Sequence, residues 1–259
     1  MLLALDIGNT ETTVGLFAGE RLERLWRFTT TPQRTPDEWA AALATSFIPT
    51  GHGLRDVRAA IVASVAPHVT QGVLEAVTLA TNVRAAVVDG GTPLPISLAV
   101  DEPLTVGADR IVNTLAASRL FHRDTIVVDF GTATTFDCIT GDGRFIGGVI
   151  MPGIRTAADD LIRKTAKLPA TELTPPARVI GRRTEDCIRA GVLWGAVDAV
   201  DGIVARIRAE WPGGGTPHVV ATGGLAGLVA PFSKTIASVH PDLTLVGLRF
   251  AAEAMGLAW

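Results

Sequence analysis

The sequence predicts an α/β protein built from two similar halves. Three observations point there. Apolar strand-like runs alternate with amphipathic helical ones, the same Asp-x-Gly turn closes the first apolar run of each half, and each turn leads into two more strand-like runs. The chain has 259 residues, 47% hydrophobic and 19% charged, which suits a buried core and excludes disorder as the main reading.

Each element has its own local reason. Leu2–Asp6, Thr12–Phe17 and Leu22–Phe28 read as three strands joined by short Gly-containing turns. A helix follows from Pro36, with proline in its first turn, Asp37 and Glu38 at its positive end, and Trp39, Leu43 and Phe47 on one face. Ala59–Val65 is a strand, Pro67–Ala80 a helix and Arg84–Val88 a strand; Gly90, Gly91, Pro93 and Pro95 mark a loop, and a helix over Ala108–Phe121 ends the half. The second half opens with strands at Thr125–Phe130, Thr134–Thr140 and Arg144–Ile150, the last two joined at Gly141-Asp142-Gly143. A long helix covers Glu185–Trp211, where Leu193, Val197, Val200, Val204, Ile207 and Trp211 form an apolar stripe that must face a core or a partner. His218–Thr222 is a strand ending in Thr222-Gly223-Gly224, and Leu248–Met255 is a closing helix. The halves are expected to divide as 1–121 and 122–259, with the last helix able to pack back on the first.

Composition narrows the function. A net charge of −3 gives no basic footprint for DNA or RNA, so no nucleic-acid partner is expected. Cys138 and Cys187 lack metal-ligand spacing and read as reduced cytosolic thiols; the five scattered histidines form no ligand pair. The start has no basic segment and meets Asp6 early, unlike a signal peptide. The uncharged run from Trp211 to Ser233 is broken by Pro212, Gly213, Gly214, Gly215 and Pro217, so no membrane span is expected. A cytoplasmic protein is the consistent reading.

The repeated turns are Asp6-Ile7-Gly8-Asn9-Thr10 and Asp129-Phe130-Gly131-Thr132-Ala133-Thr134. Glycine lets backbone approach a phosphate, hydroxyls and amides donate to it, and the carboxylate can hold a metal ion or its water. One such turn could equally serve hairpin geometry alone. Two copies, facing each other across a cleft, could grip a nucleotide polyphosphate from both sides. No Gly-Lys-Ser/Thr phosphate loop, complete dinucleotide fingerprint or Gly-x-Ser-x-Gly elbow is present.

Those turns, with Gly107-Ala108-Asp109-Arg110, the run Thr135-Phe136-Asp137, Gly147-Gly148-Val149-Ile150-Met151-Pro152-Gly153 and Thr222-Gly223-Gly224, resemble type III pantothenate kinase over nearly the whole chain. The resemblance implies the actin-like ATPase and sugar-kinase fold, two ribonuclease-H-like domains with a nucleotide cleft between them. It implies ATP-dependent phosphorylation of pantothenate to 4′-phosphopantothenate, the first step toward coenzyme A, in a homodimer.

Site roles follow from the same resemblance. Asp109 matches the general base, although from the residues alone Asp109 and Arg110 also fit a helix-dipole carboxylate and a solvated arginine. Gly107, Ala108 and Arg110 would line the pantothenate pocket. Thr184 would also touch the substrate, besides serving as the N-cap of the long helix. Asp6, Ile7, Gly8, Asn9, Thr10, Glu11, Thr12 and Thr13 would bind ATP phosphates, with Thr132 doing so from the other domain. Asp6 would act on Mg2+, directly or through water. Asp129 matches a monovalent-cation position, for K+ or NH4+, with capping of its own turn as the alternative. Val100 stands where the family commonly has a tyrosine lining the pantothenate site, and this chain has no tyrosine; weaker pantothenate binding is one expectation. A non-enzymatic Bvg accessory factor-like regulator, or a kinase for another small alcohol on this fold, is the alternative function.

Overall fold

The computed structural model describes residues 1–165 and 168–259. Its chain divides into two compact units, Met1–Leu120 with Leu243–Trp259, and Phe121–Asp242. The second unit ends at Asp242, and the closing helix, which the sequence allowed to pack back on the first half, is counted with the first unit.

In the first unit β1 (Leu2–Ile7), β2 (Glu11–Ala18) and β3 (Arg21–Thr29) form an antiparallel set, followed in the sheet by parallel β4 (Ala59–Ser64) and β5 (Ala86–Val88), in the order β3-β2-β1-β4-β5. Alternate residues of β1 serve two cores. Leu3, Leu5 and Ile7 pack with Trp39, Leu43 and Phe47 of α1 (Pro36–Phe47) and Val73 and Val77 of α2 (Pro67–Thr81). Leu2 and Ala4 pack with Ile111, Val112 and Leu115 of α3 (Ala108–Phe121) and with Leu245, Leu248 and Ala251 of the last helix. α1 starts where a capping box forms: the Thr35 hydroxyl accepts the Glu38 amide at 3.3 Å while the Glu38 carboxylate accepts the Thr35 amide at 2.7 Å. The two-residue β6 (Ser97–Leu98) lies in the long connection to α3.

The second unit repeats the plan. β7 (Thr125–Phe130), β8 (Ala133–Ile139) and β9 (Arg144–Pro152) are antiparallel, and β10 (His218–Thr222) and β11 (Ser238–Val239) add parallel strands beyond β7. Reading β9-β8-β7-β10-β11 gives the same strand order as the first unit, the repetition that a ribonuclease-H-like pair requires. The apolar stripe of α5 (Thr184–Glu210) is used inside the chain: Leu193, Val197, Val200 and Val204, with Trp211 beyond the helix end, join Ile126, Val128 and Phe130 in one core. Among the described residues no helix is long and apolar enough to cross a membrane.

Three elements depart from the sequence expectation. α4 (Ile154–Arg163) was not anticipated; its N-cap is Gly153, which makes no side-chain cap bond, so the usual start signal is missing. The one-turn α6 (Ala226–Val229) follows β10, and β11 is too short to show periodicity. α7 (Leu243–Ala254) begins five residues before Leu248: Leu243 is buried and Leu245 joins the core of the first sheet.

α7 meets α3 at a glycine. A Cβ on Gly247 would stand 2.1 Å from the Val112 carbonyl oxygen, so the two helix backbones approach closer than any side chain permits. Gly247→Ala should lower stability by about 1–3 kcal/mol through overpacking. Gly202→Ala, in α5, places its Cβ at an ordinary 3.6 Å from Arg206 Nη1 and should raise it by about 0.5–1 kcal/mol. Urea unfolding of both variants checks the contrast.

Candidate active site

Asp6, next to the last residue of β1, is in register with Thr13 of β2 and Ala63 of β4, on the sheet face that carries α3. The turn beyond it is tight: the Gly8 amide donates to the Glu11 carbonyl at 3.0 Å. A Cβ on Gly8 would lie 2.8 Å from that same oxygen, which explains the glycine. Asn9, Thr10 and Glu11 are exposed and Gly8 and Thr13 half-buried. Ile7 and Thr12 point into the protein instead, fully buried, so any part they take in phosphate binding is through backbone.

The structure brings the Gly107–Arg110 segment to the same end of the sheet. The Val65 amide, just past β4, donates to the Ile7 carbonyl at 3.0 Å, and Val65 Cγ1 would meet a Cβ on Gly107 at 3.3 Å. That Cβ would also stand 2.6 Å from Asp109 Oδ1, so glycine at 107 is what leaves the carboxylate its space. Asp109 lies in the first turn of α3, where its Oδ1 accepts the Arg110 amide at 2.8 Å. Burial raises the Asp109 pKa above the ordinary aspartate value, outweighing the opposing effects of that amide and of the Arg110 guanidinium. The phosphate-type turn and a carboxyl tuned toward proton acceptance thus share the C-terminal end of parallel β1 and β4, where ligands bind in open α/β sheets. Ala108 is buried, and Arg110 and Val100 are half-buried, Val100 in the connection that leads to α3.

In the second unit Asp129 is registered with Thr135 of β8 and Thr222 of β10. Gly223 (φ 87°) closes over it: a Cβ there would come within 2.4 Å of Asp129 Oδ1. Thr222 is fully buried and its hydroxyl has no hydrogen-bond partner among the described residues. The Gly131–Thr132 turn is exposed and abuts the start of α4, where the Gly153 amide donates to the Thr132 carbonyl at 3.1 Å. Thr184 is exposed at the first residue of α5 and is not its N-cap. That place belongs to Arg183, whose carbonyl accepts the Cys187 amide at 3.0 Å, and no side-chain cap bond forms. With Leu161, Leu168, Cys187, Ile188 and Val192, Thr184 lines a largely apolar cavity of about 620 Å³.

Sequence reasoning missed Thr30, which joins the first turn. It lies at the end of β3, twenty-two residues from Gly8, and no local motif marks it.

The family model of type III pantothenate kinase matches residues 2–206. The chain belongs to the type III pantothenate kinase family. A curated type III pantothenate kinase from Moorella thermoacetica is 44% identical over 253 residues, 98% of this chain and 99% of that protein. Among solved structures, a ROK family glucokinase from Streptomyces griseus aligns over 98% of this chain and 99% of its own with a TM-score of 0.50 at 15% identity. A protein from Sinorhizobium meliloti described as a 2-dehydro-3-deoxygalactonokinase aligns over 100% and 98% with a TM-score of 0.61 at 14% identity. These likenesses carry the fold, that of the actin-like ATPases and sugar kinases, and the family carries the activity. This protein is a phosphotransferase, a pantothenate kinase using ATP with Mg2+, at the first step of coenzyme A synthesis.

In this pantothenate kinase the environment of Asp109 has a cost in stability. Its folded pKa is raised, so between the unfolded and folded values the native state holds the extra proton, and stability falls as pH rises through that window. Asp109→Asn carries no charge and should be more stable than wild type at neutral pH. The advantage should vanish below the pKa of an unfolded aspartate, about 4. Thermal melts across pH read this directly, and equal melting temperatures at neutral pH would contradict it.

Proposed function

We propose that Asp109 is the general base that takes the proton from the pantothenate hydroxyl as the γ-phosphoryl group of ATP is transferred to it. One observation carries this: a carboxyl whose proton affinity is raised by burial, with room left by Gly107, in the same unit and at the same sheet end as the Asp6–Thr13 turn. Phosphoryl transfer asks little covalent chemistry of a protein, so positioning and charge stabilisation dominate and a well-placed base completes the set.

The remaining residues take the supporting roles. The backbone of Asp6–Thr13, with the exposed Asn9, Thr10 and Glu11, receives the ATP phosphates, and Thr132 does so from the second unit. Mg2+ usually keeps waters and takes one or two carboxylates plus substrate phosphates. A single Asp6 carboxylate beside a phosphate turn fits that habit better than a protein-only cage, and no group of three or more His, Cys, Asp or Glu suited to a metal occurs among the described residues. When bound, the ion neutralises charge on the phosphates. Asp129 takes a monovalent cation, K+ or NH4+. The support is the buried Thr222 hydroxyl registered beside it, an oxygen without a hydrogen-bond partner among the described residues, next to the Gly223 turn.

On the substrate side, Arg110 suits the carboxylate and carbonyls of pantothenate, and Gly107, Ala108 and Val100 form the near wall. Thr184 contributes from the start of α5. Homodimer assembly and a cytoplasmic location complete the reading. With the α5 stripe buried in its own unit, the dimer rests on family resemblance alone.

Asp109→Asn should lower kcat by about 10²–10⁴-fold, the usual cost of losing a general base, with ATP still bound. The wild-type kcat/KM profile should have its acid limb above pH 4 or so, where an unshifted aspartate would titrate. Near-normal turnover in the variant would remove Asp109 from the mechanism. Activity should be low in Na+ alone and return with K+ or NH4+. Equal rates at matched ionic strength would exclude a selective cation at Asp129.

A further inference from the structure

A turn that receives a phosphate on its amides must turn its carbonyl oxygens elsewhere, because an oxygen dipole facing the anion would repel it. Both turns solve this with a threonine outside the repeated motif. In the first, the Thr30 hydroxyl donates to the Gly8 carbonyl at 2.8 Å and the Thr30 amide donates to the Thr10 carbonyl at 2.9 Å. The Thr30 hydroxyl also lies 2.9 Å from that of Thr12. A hydroxyl has one proton, and Thr30 gives its proton to Gly8, so Thr12 donates to Thr30. Thr30 is 6% and Thr12 0% exposed, so this relay is held out of water. In the second turn the Thr156 hydroxyl, in the first turn of α4, donates to the Thr132 carbonyl at 2.7 Å beside the Gly153 amide at 3.1 Å.

We propose that Thr30 and Thr156 are positioning residues of the kinase, each holding the carbonyl side of one phosphate turn inward so that its amides face the nucleotide. The inference rests on the reading that these turns bind ATP. Neither residue touches the reacting atoms. Their effect belongs to nucleotide binding, and pantothenate recognition should be untouched.

The test uses Thr30→Val and Thr156→Val, which keep shape and remove the hydroxyl, with Thr30→Ser and Thr156→Ser as conservative counterparts. The expected result is a rise of about tenfold in KM for ATP in each valine variant, the scale of one lost hydrogen bond. KM for pantothenate should stay within about twofold, and serine should restore the ATP value. Amide hydrogen exchange on the nucleotide-free protein provides a second readout: residues 9–11 should exchange faster in Thr30→Val, and 132–133 in Thr156→Val. Thr156 is exposed, so its variant carries the test if the buried Thr30→Val folds poorly. Wild-type KM for ATP in the folded valine variants, or equal rises for both substrates, would overturn the proposal. Wild-type protein that binds no Mg-ATP in calorimetry, while the exchange changes still appear, would instead overturn the nucleotide reading and leave the bracing intact.

Discussion

β1 lies between antiparallel β2 and parallel β4, with Asp6 paired to Thr13 on one side and Ala63 on the other. Side chains alternate with a period of two, so a slip of one residue would turn Asp6 into the core formed with α1 and α2 and put Ile7 in its place. That register is held by apolar burial on both faces, Leu3 and Leu5 toward one core and Leu2 and Ala4 toward the other. β7 repeats the arrangement, with Phe130 committed to the α5 core and Asp129 to the opposite face. The chemistry at the strand ends is therefore aimed by hydrophobic packing several residues away.

Given that register, the two candidate-site aspartates of the first unit differ through local surroundings. Asp6 stands near a strand end beside an exposed turn, whereas burial at the start of α3 raises the proton affinity of Asp109 above that of an ordinary aspartate. The first setting suits the proposed metal role and the second the proposed base. Under those proposed roles the surroundings would divide the labour between two identical side chains, as in enzymes that run acid–base chemistry with carboxylates. Glycine sets the limits: Gly107 beside Asp109 and Gly223 over Asp129 stand where any side chain would occupy the carboxylate's own space.

Much of this is legible in the sequence because it is local. Asp, Gly and hydroxyl residues after an apolar run mark both hairpins, and the 3.6-residue stripe marks α5. Whether Leu193–Trp211 faced a core or a partner could not be read from spacing, since both present the same periodicity; burial decides it. Thr30 escaped because its contacts with Gly8 and Thr10 exist only once β3 pairs with β2. α4 escaped because glycine caps it, and the placement of Thr184 as an N-cap missed by one residue because Arg183 takes the cap without a side-chain bond. Thr12 illustrates the same limit: within the stretch proposed to bind phosphate, strand alternation sends it inward.

The division of the chain has a consequence for how the protein is made. Residues 121–242 are an insertion between α3 and α7, and α7 completes the core that Leu2, Ile61, Val112 and Leu115 begin. A ribosome synthesises the whole second unit before any of α7 exists. The unit that is translated first is thus the last to be finished, reversing the usual N-to-C order of domain folding. Until Leu245, Leu248 and Ala251 emerge, one face of the first sheet stays greasy and open on the nascent chain, and that interval is when a chaperone or an aggregating neighbour would find it.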